Sequence, residues 1–430
     1  MLSVLRDRRF AALFGSQVAS LLGTGILTVA IALLAARIAG DDAGVVLGIA
    51  LTIRIATYVV ISPIATALLA GRSGRAVLVG ADAARVVIAL SLVLVSEAWQ
   101  LYLAIVLLQA ASAVFTPTFQ AAIPDVLPDE SDYTAAQSLS RLAYDLESLV
   151  SPLLAAALVT LVPTSWLFAV TATGFVVSLA AVLLSRLEVR LPRTDEPFTS
   201  RLARGMRLVG SIESTRFLAL LDAAVAAVYA TVLVNTVVIA LRFGADLGAS
   251  LGGGLGGDEL AMRLAIVLAL FGVGSIAIAL LLPSLLRRVS DRAVMTAGAA
   301  AIVVLLGIVA AVEAGPGLDL VNLGALWLLL GAGSSAVSTP SARLIRRDVA
   351  PVDRPAVFAA RFSTSHAWYA VAYPLAGIGG AMWGVAAATG ALAALTLVVL
   401  VAAVLSGRRA SPTAPTMGAK GEPLLPGQGG

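Results

Sequence analysis

Cysteine is absent from this chain of 430 residues, and only one histidine is present. Without cysteine the chain has neither a disulfide framework nor a thiolate metal site, and one histidine leaves little for a histidine cluster. Charged residues make up 13% of the sequence, which is about half the share typical of soluble domains. These absences argue against a soluble metalloenzyme, and we expect no metal and no cofactor.

Apolar residues, by contrast, make up 59% of the sequence, and the mean hydropathy is +0.98. Apolar runs of roughly 20 residues or more recur from end to end, and each is long enough to cross a hydrocarbon layer. Such runs must be helical in lipid, where no water satisfies open backbone groups. We therefore predict an all-α integral membrane protein with about twelve transmembrane helices. The predicted spans are 11–36, 45–70, 76–96, 99–123, 137–161, 165–185, 216–241, 261–286, 293–312, 320–342, 356–381 and 383–405.

The arginines predict how these helices are oriented. They precede the first span, follow the last, and fill every second loop except the one after the fourth span. Because short basic loops stay in the cytoplasm, both termini are expected to be cytoplasmic, in a bacterial inner membrane. The net charge of +4 is spread between spans rather than gathered in one patch, so we expect a lipid bilayer and no nucleic acid as partner.

The longest polar segment separates six spans from six. Within it, Leu202, Met206 and Val209 are spaced i, i+4, i+7 among arginines, which predicts a basic amphipathic helix on the inner leaflet. The predicted domains are an N-terminal six-helix half at 1–185, a cytoplasmic linker at 186–215, a C-terminal six-helix half at 216–406, and a disordered cytoplasmic tail at 407–430.

One phrase occurs twice, about half a chain length apart. Residues 116–128 read TPTFQAAIPDVLP and residues 339–351 read TPSARLIRRDVAP. A second pair, SGRAV at 73–77 and SDRAV at 290–294, follows the second span of each half. The repeats indicate two six-helix halves that enclose one cavity near the middle of the membrane, the geometry of alternating access.

Four stretches carry a family resemblance: RRFAALFGSQVASLLGTGILTVAIALL at 8–34, LTIRIATYVVISP at 51–63, the phrase at 116–128, and RLARGMRLVGSIESTRFLALL at 201–221. Through them the chain resembles the major facilitator superfamily, and more narrowly the drug-efflux branch that includes macrolide and enterobactin exporters. The resemblance implies a monomer that is not an enzyme. It also implies a secondary active transporter, with proton-coupled efflux of a small, largely apolar compound such as a drug, a natural product or a siderophore. Two alternatives remain open: a nutrient importer or lipid translocator of the same fold, and a transporter-like scaffold or sensor that carries nothing.

The chain departs from the family pattern in the loop between the second and third helices. Thr66, Ala70 and Gly71 stand where the family usually has Gly, Asp and Arg. That Asp normally takes part in a charge latch between the halves, so its loss leaves the latch in question. The residues predicted to form what remains of a conformational latch are Arg75, Asp82, Arg85 and Arg292.

Charged and polar residues inside apolar spans are costly, about 2.5–3.5 kcal/mol for a charge at the centre, and usually face a cavity or a partner. The candidates for the substrate and proton pathway are Arg54, Arg141, Asp145, Glu147, Asp222, Asn235, His366, Tyr369 and Tyr373. Glu147 is the first candidate for a proton carrier and Asp222 the second. With Phe362, the last three candidates form a stripe at i, i+4, i+7, i+11, for which core packing is the plainer interpretation. Arg54 has the alternative of a structural charge, and Asp82 with Arg85 that of an internal helix pair.

Overall fold

The structure, a computed structural model, describes residues 2–39, 43–163, 165–187, 197–236, 257–315 and 318–408. The predicted tail beyond residue 408 lies outside the described residues. The side chains of Asp145 and Asn235, two candidates for the transport pathway, also lie outside the described part. The described backbone is helical almost throughout.

The helices of the first half, in chain order, are α1 Arg8–Ala39, α2 Ala43–Leu69, α3 Gly74–Ser91, α4 Ala98–Val126, α5 Glu130–Leu161 and α6 Trp166–Leu184. The linker contains α7 Phe198–Ser211. The second half comprises α8 Glu213–Ala230, α9 Gly257–Leu285, α10 Asp291–Glu313, α11 Leu320–Ser338, α12 Ser341–Asp348, α13 Arg354–Trp383 and α14 Val385–Arg408. Short 3₁₀ turns at Leu2–Arg6 and Leu92–Leu94 and a π-helical turn at Thr231–Asn235 complete the described elements.

Within the described ranges, ten helices are long and apolar enough to cross a membrane. Helices α5 and α13 are outside that set. At 32 and 30 residues, and about 1.5 Å per residue, each is nevertheless long enough to span the hydrocarbon layer. The chain is a multi-pass membrane protein, and the count of twelve spans remains a prediction.

Two boundaries differ from the predicted spans because local polar chemistry sets them. Helix α5 begins at Glu130 rather than at 137. Glu130 and Asp132 lie in its first turn, where negative charge favours a helix N-terminus. The predicted span 320–342 ends as α11 at Ser338, and a new short helix, α12, follows Pro340, which cannot donate a backbone hydrogen bond.

The two halves repeat one packing pattern. In the first half α2 packs on α4, and α3 packs on α4 and α6; in the second half α9 packs on α11, and α10 packs on α11 and α14. The halves meet where α2 packs on α13 and where α5 packs on α9. The interior of the protein therefore lies between these two pairs of helices.

Glycine permits the closest helix contact in the second half. A Cβ atom at Gly274 of α9 would lie 1.8 Å from the carbonyl oxygen of Leu328, and one at Gly331 of α11 would lie 2.0 Å from that of Phe271. Small residues of this kind let helix backbones approach one another in membranes.

The linker helix α7 docks on the start of α13. A Cβ atom at Gly205 would lie 2.3 Å from the carbonyl oxygen of Ala356, and Arg204 forms an ion pair of 2.5 Å with Asp353. Val209 is buried, while Met206 is 46% exposed. The apolar face of α7 is therefore divided between the protein and the outside, and its position on the inner leaflet remains a prediction. We call this end of the bundle the linker end.

Candidate functional site

Helix α2 directs Arg54, Tyr58 and Ser62 into the bundle. These residues are spaced one turn apart on one face, and Tyr58 and Ser62 are buried. Ile49 and Val60 lie on the opposite face and are 43% and 53% exposed. The alternation at about 100° per residue places Arg54 on the interior side of its helix.

The aromatic stripe of α13 faces α2 and α8. The ring of Tyr58 lies 5.0 Å from that of Phe362 and 4.6 Å from the imidazole of His366, both edge-on. His366 lies 5.7 Å from Tyr369, whose ring stacks on Tyr373 at 5.6 Å. The four rings therefore form one continuous face, and Phe362 and His366 contact the first half of the molecule.

One nitrogen of His366 is already engaged. Its Nδ1 lies 2.7 Å from the carbonyl oxygen of Phe362 and 3.4 Å from the hydroxyl of Ser365. Since a carbonyl only accepts, Nδ1 donates, and in the neutral ring Nε2 is left as an acceptor. His366 therefore presents an acceptor nitrogen from within the stripe.

Arg54 and Glu147 complete the site from the first half. The guanidinium of Arg54 lies 5.9 Å from the centre of the Tyr58 ring, and Glu147, His366 and Tyr373 lie within range of its charge. Glu147 is half-buried, near the middle of the 32-residue helix α5. We call the set Arg54, Tyr58, Glu147, His366, Tyr369 and Tyr373 the central site.

Arg141 links the halves on the linker-end side of the central site. It donates to the hydroxyl of Tyr229 at 3.1 Å and to that of Ser275 at 3.0 Å. The ring of Tyr229 in turn lies 6.1 Å from Tyr369. One arginine of α5 thereby connects α8, α9 and, through Tyr229, the aromatic stripe.

Asp222 is tied to an arginine that the sequence analysis did not select. Arg361 of α13 donates two hydrogen bonds to its carboxylate, at 2.8 and 3.1 Å, and a third to Ser341 at 2.7 Å. Arg361 lies one residue before the aromatic stripe and inside a predicted span. A charged residue within an apolar span was therefore the sequence signal by which it could have been selected. The carboxylate of Asp222 is therefore held in a bidentate pair within the second half.

Asp82 and Arg85 form a sealed network inside the first half. They pair with each other, and Ser178 and Ser20 bind them at 2.7 Å each. The Arg85 guanidinium also lies 4.2 Å from the centre of the Phe115 ring. These contacts join α1, α3, α4 and α6, so the pair fastens one half rather than bridging two.

Arg75 and Arg292 hold the same position in the segments SGRAV and SDRAV, one in each half. Each of them also binds within its own half. Arg75 donates to the carbonyl of Leu183 at 2.7 Å. Arg292 pairs with Glu213. Among the contacts described for them, neither reaches the other half.

At the linker end, hydrogen bonds and an ion pair cross between the halves at the repeated phrase and just after it. Arg343 of α12 donates to Glu130 and to Thr134, both at 2.6 Å, and lies 3.1 Å from Asp291 of its own half. Arg346 donates to the carbonyl of Pro128, so the two copies of the phrase touch each other. We call Pro128, Glu130, Thr134, Asp291, Arg343 and Arg346 the linker-end latch.

Serine hydroxyls continue this closure toward the central site. Ser62 donates to the carbonyl of Ala359 at 3.2 Å, and Ser363 donates to the carbonyl of Val59. Both bonds join α2 to α13. The halves are therefore in contact from the linker-end latch up to the level of Tyr58 and His366.

Comparison with known proteins gives one family. The sequence profile of the Major Facilitator Superfamily matches residues 13–312. No curated protein sequence matches the chain.

Solved structures of the same architecture are similar over nearly the whole chain. A crystal structure of the human organic anion transporter MFSD10 (TETRAN) superposes with a TM-score of 0.72 at 14% identity, covering 92% of this chain and 99% of the other. A bacterial homologue of the iron transporter ferroportin, in an outward-facing state, gives 0.65 at 16% identity, with 93% and 98% covered. The E. coli fucose:proton symporter FucP gives 0.66 at 14% identity, with 92% and 98% covered.

Proposed function

We propose that this chain, which belongs to the major facilitator superfamily of transmembrane transporters, exports a small, largely apolar compound in exchange for protons. The observation that carries the proposal is the central site. There Tyr58 of one half contacts the aromatic stripe of the other near the middle of α13, and Glu147, near the middle of α5, lies within range of the charge of Arg54. Transporters of this architecture bind substrate near the bilayer midplane, between their repeats.

The arginine distribution supports a cytoplasmic position for the linker end and for both termini. We propose that α5 and α13 are the two spans that complete twelve, in the inner membrane of a bacterium, with the chain acting as a monomer. Under this orientation the linker-end latch closes the cytoplasmic side, and the conformation is outward-facing. Opening to the cytoplasm then requires the latch and the serine contacts between α2 and α13 to separate.

Glu147 is proposed as the proton carrier. Protonation removes its negative charge beside Arg54, which changes the relative stability of the outward-facing and inward-facing states. The shift is limited by the difference in proton affinity between those states. Asp222 is the second candidate, since its pair with Arg361 would also be broken by a proton.

The test is transport by the purified chain in proteoliposomes with an imposed proton gradient. A panel of fluorescent apolar dyes is first screened to find one that the unaltered chain carries. Glu147→Gln is expected to abolish gradient-driven transport of that dye while leaving dye binding intact. Glu97→Gln is the matched control, because Glu97 is exposed and caps α4. An unchanged rate in Glu147→Gln would remove Glu147 from the mechanism.

One observation favours a second candidate, uptake together with a proton. Glu147 lies within range of the charge of Arg54, and protonation of the glutamate leaves the arginine free to bind an anionic compound, so proton and substrate would bind together. Inside-out vesicles with an acidified interior separate the two functions. An exporter accumulates the dye in them, and an importer does not.

A further inference from the structure

We propose that the central site takes an amphipathic organic anion with an aromatic ring, whose anionic group binds Arg54 and whose ring stacks against Tyr369 and Tyr373. The inference rests on the proposed function, because it assumes that the central site is where substrate binds. It narrows the small, largely apolar compound to one class of ligand.

The charges around the site favour an anion over a cation. Once Glu147 carries a proton, as in the proposed mechanism, Arg54 is the one charged group among the six side chains of the central site. Asp222 is occupied by the bidentate pair with Arg361, and Asp82 is sealed against Arg85. Among the described carboxylates at this depth, Asp222 and Asp82 therefore each have an arginine partner, and Glu147 is the carboxylate of the central site.

Arg54 has donors to offer. It is half-buried, and in the described part of the chain its contacts are the Tyr58 ring and electrostatic contacts rather than an ion pair. A guanidinium held over an aromatic ring keeps its planar fork of N–H groups available, and that fork matches a carboxylate or phosphate in two parallel hydrogen bonds.

The aromatic surface lies at the same level. Tyr373 lies within range of the charge of Arg54, and Tyr369 and Tyr373 are half-buried and stacked on each other. Exposed edges and faces of such rings accept another ring at about 4.5–7 Å between centroids. A ligand whose anion is at Arg54 therefore has aromatic partners within the length of a small molecule.

The experiment compares three ligands of nearly the same shape that differ in charge: naphthoate, naphthylmethanol and naphthylmethylamine. Their binding to the full chain in lipid nanodiscs is measured by titration calorimetry at neutral pH. Naphthoate is expected to bind at least about tenfold more tightly than the amine, as for the loss of a hydrogen bond between charged groups. Equal or tighter binding of the amine, or no binding of naphthoate, would overturn the inference.

Variants at Arg54 test whether this residue binds the anionic group. Arg54→Gln is expected to weaken naphthoate binding at least about tenfold and to leave naphthylmethanol unchanged, whereas Arg72→Gln, at an exposed loop position, changes neither. Arg54→Lys keeps the charge and is expected to keep the preference for naphthoate over the amine, so it gives a result even if the Gln variant does not fold. Undiminished naphthoate binding in Arg54→Gln, or loss of the preference in Arg54→Lys, contradicts the assignment.

The outcome separates the ligand class from the transport function. If proteoliposomes carry a neutral or cationic dye while naphthoate fails to bind, the anion assignment is wrong and the transporter stands. If the dye panel shows no transport although naphthoate binds at Arg54, the site is correct and the transport proposal fails.

Discussion

Asp82 and Arg85 show how a charged pair persists at the depth of a membrane helix. Both side chains are almost completely buried, and each is bound by a serine of a neighbouring helix as well as by its partner. Removal of one member of such a pair leaves an uncompensated buried charge, whereas replacement of both by apolar residues is often nearly neutral.

We therefore predict that Asp82→Asn destabilises the protein by about 3–5 kcal/mol, seen as a lower midpoint of thermal unfolding in detergent. The double variant Asp82→Leu with Arg85→Met is expected to recover much of that loss. If the double variant unfolds earlier than Asp82→Asn, the pair contributes more than mutual neutralisation.

At the residue level the sequence indicated candidate side chains for a site, but it did not indicate the ion pairs. Arg54, His366, Tyr369 and Tyr373 could be selected one by one, because polar residues in apolar spans and a stripe at helical spacing are visible in the sequence. The pairs Asp222–Arg361 and Glu130–Arg343 could not be predicted, because their partners are 139 and 213 residues apart. No local pattern indicates which acid pairs with which arginine.

At the scale of elements, α7 can pack closely on α13 because Gly205 has no side chain at the contact. A Cβ atom at Gly205 would clash with the carbonyl oxygen of Ala356, whereas a Cβ atom at Gly210 on the same helix would have no neighbour within 4 Å. The two glycines thus form a matched pair of sites, one in close contact and one open.

Gly205→Ala is predicted to lower the thermal midpoint, because overpacking of this kind costs about 1–3 kcal/mol. Gly210→Ala is predicted to leave the midpoint unchanged or raise it, since alanine favours a helix by about 1 kcal/mol over glycine. Equal midpoints for the two variants would show that α7 is not packed on α13 in solution.

The helices themselves follow from apolar run length, because a run that crosses lipid has no stable alternative to a helix. The ends of the runs were less predictable. The start of α5 at Glu130 and the break before α12 depend on polar residues and a proline, and hydropathy does not register either. The linker helix was predicted from its periodicity, but its contact with α13 depends on Gly205, which carries no apolar signal.

At the scale of the whole molecule, the duplicated phrase explains how the halves close. Its two copies meet at the linker end, where Arg343 binds Glu130 and Arg346 binds the carbonyl of Pro128. The sequence indicated that a duplication exists but not that its copies touch. Contact between equivalent segments is what a two-fold relation between halves produces when it closes at one end.

The central claim is that these halves separate at the linker end and close again during transport. Because the chain lacks cysteine, spin labels at Arg72→Cys and Arg288→Cys, exposed loop positions of the two halves, report their separation without background. Arg343→Gln removes a bridge between halves, whereas Arg347→Gln removes contacts with Asp291 and Asp348 within one half.

Pulsed electron spin resonance on this labelled pair in lipid measures the distance directly. The account predicts two distance populations, with Arg343→Gln enriching the longer one and Arg347→Gln leaving the ratio nearly unchanged. A single distance that is the same in the parent chain and in both variants would contradict it.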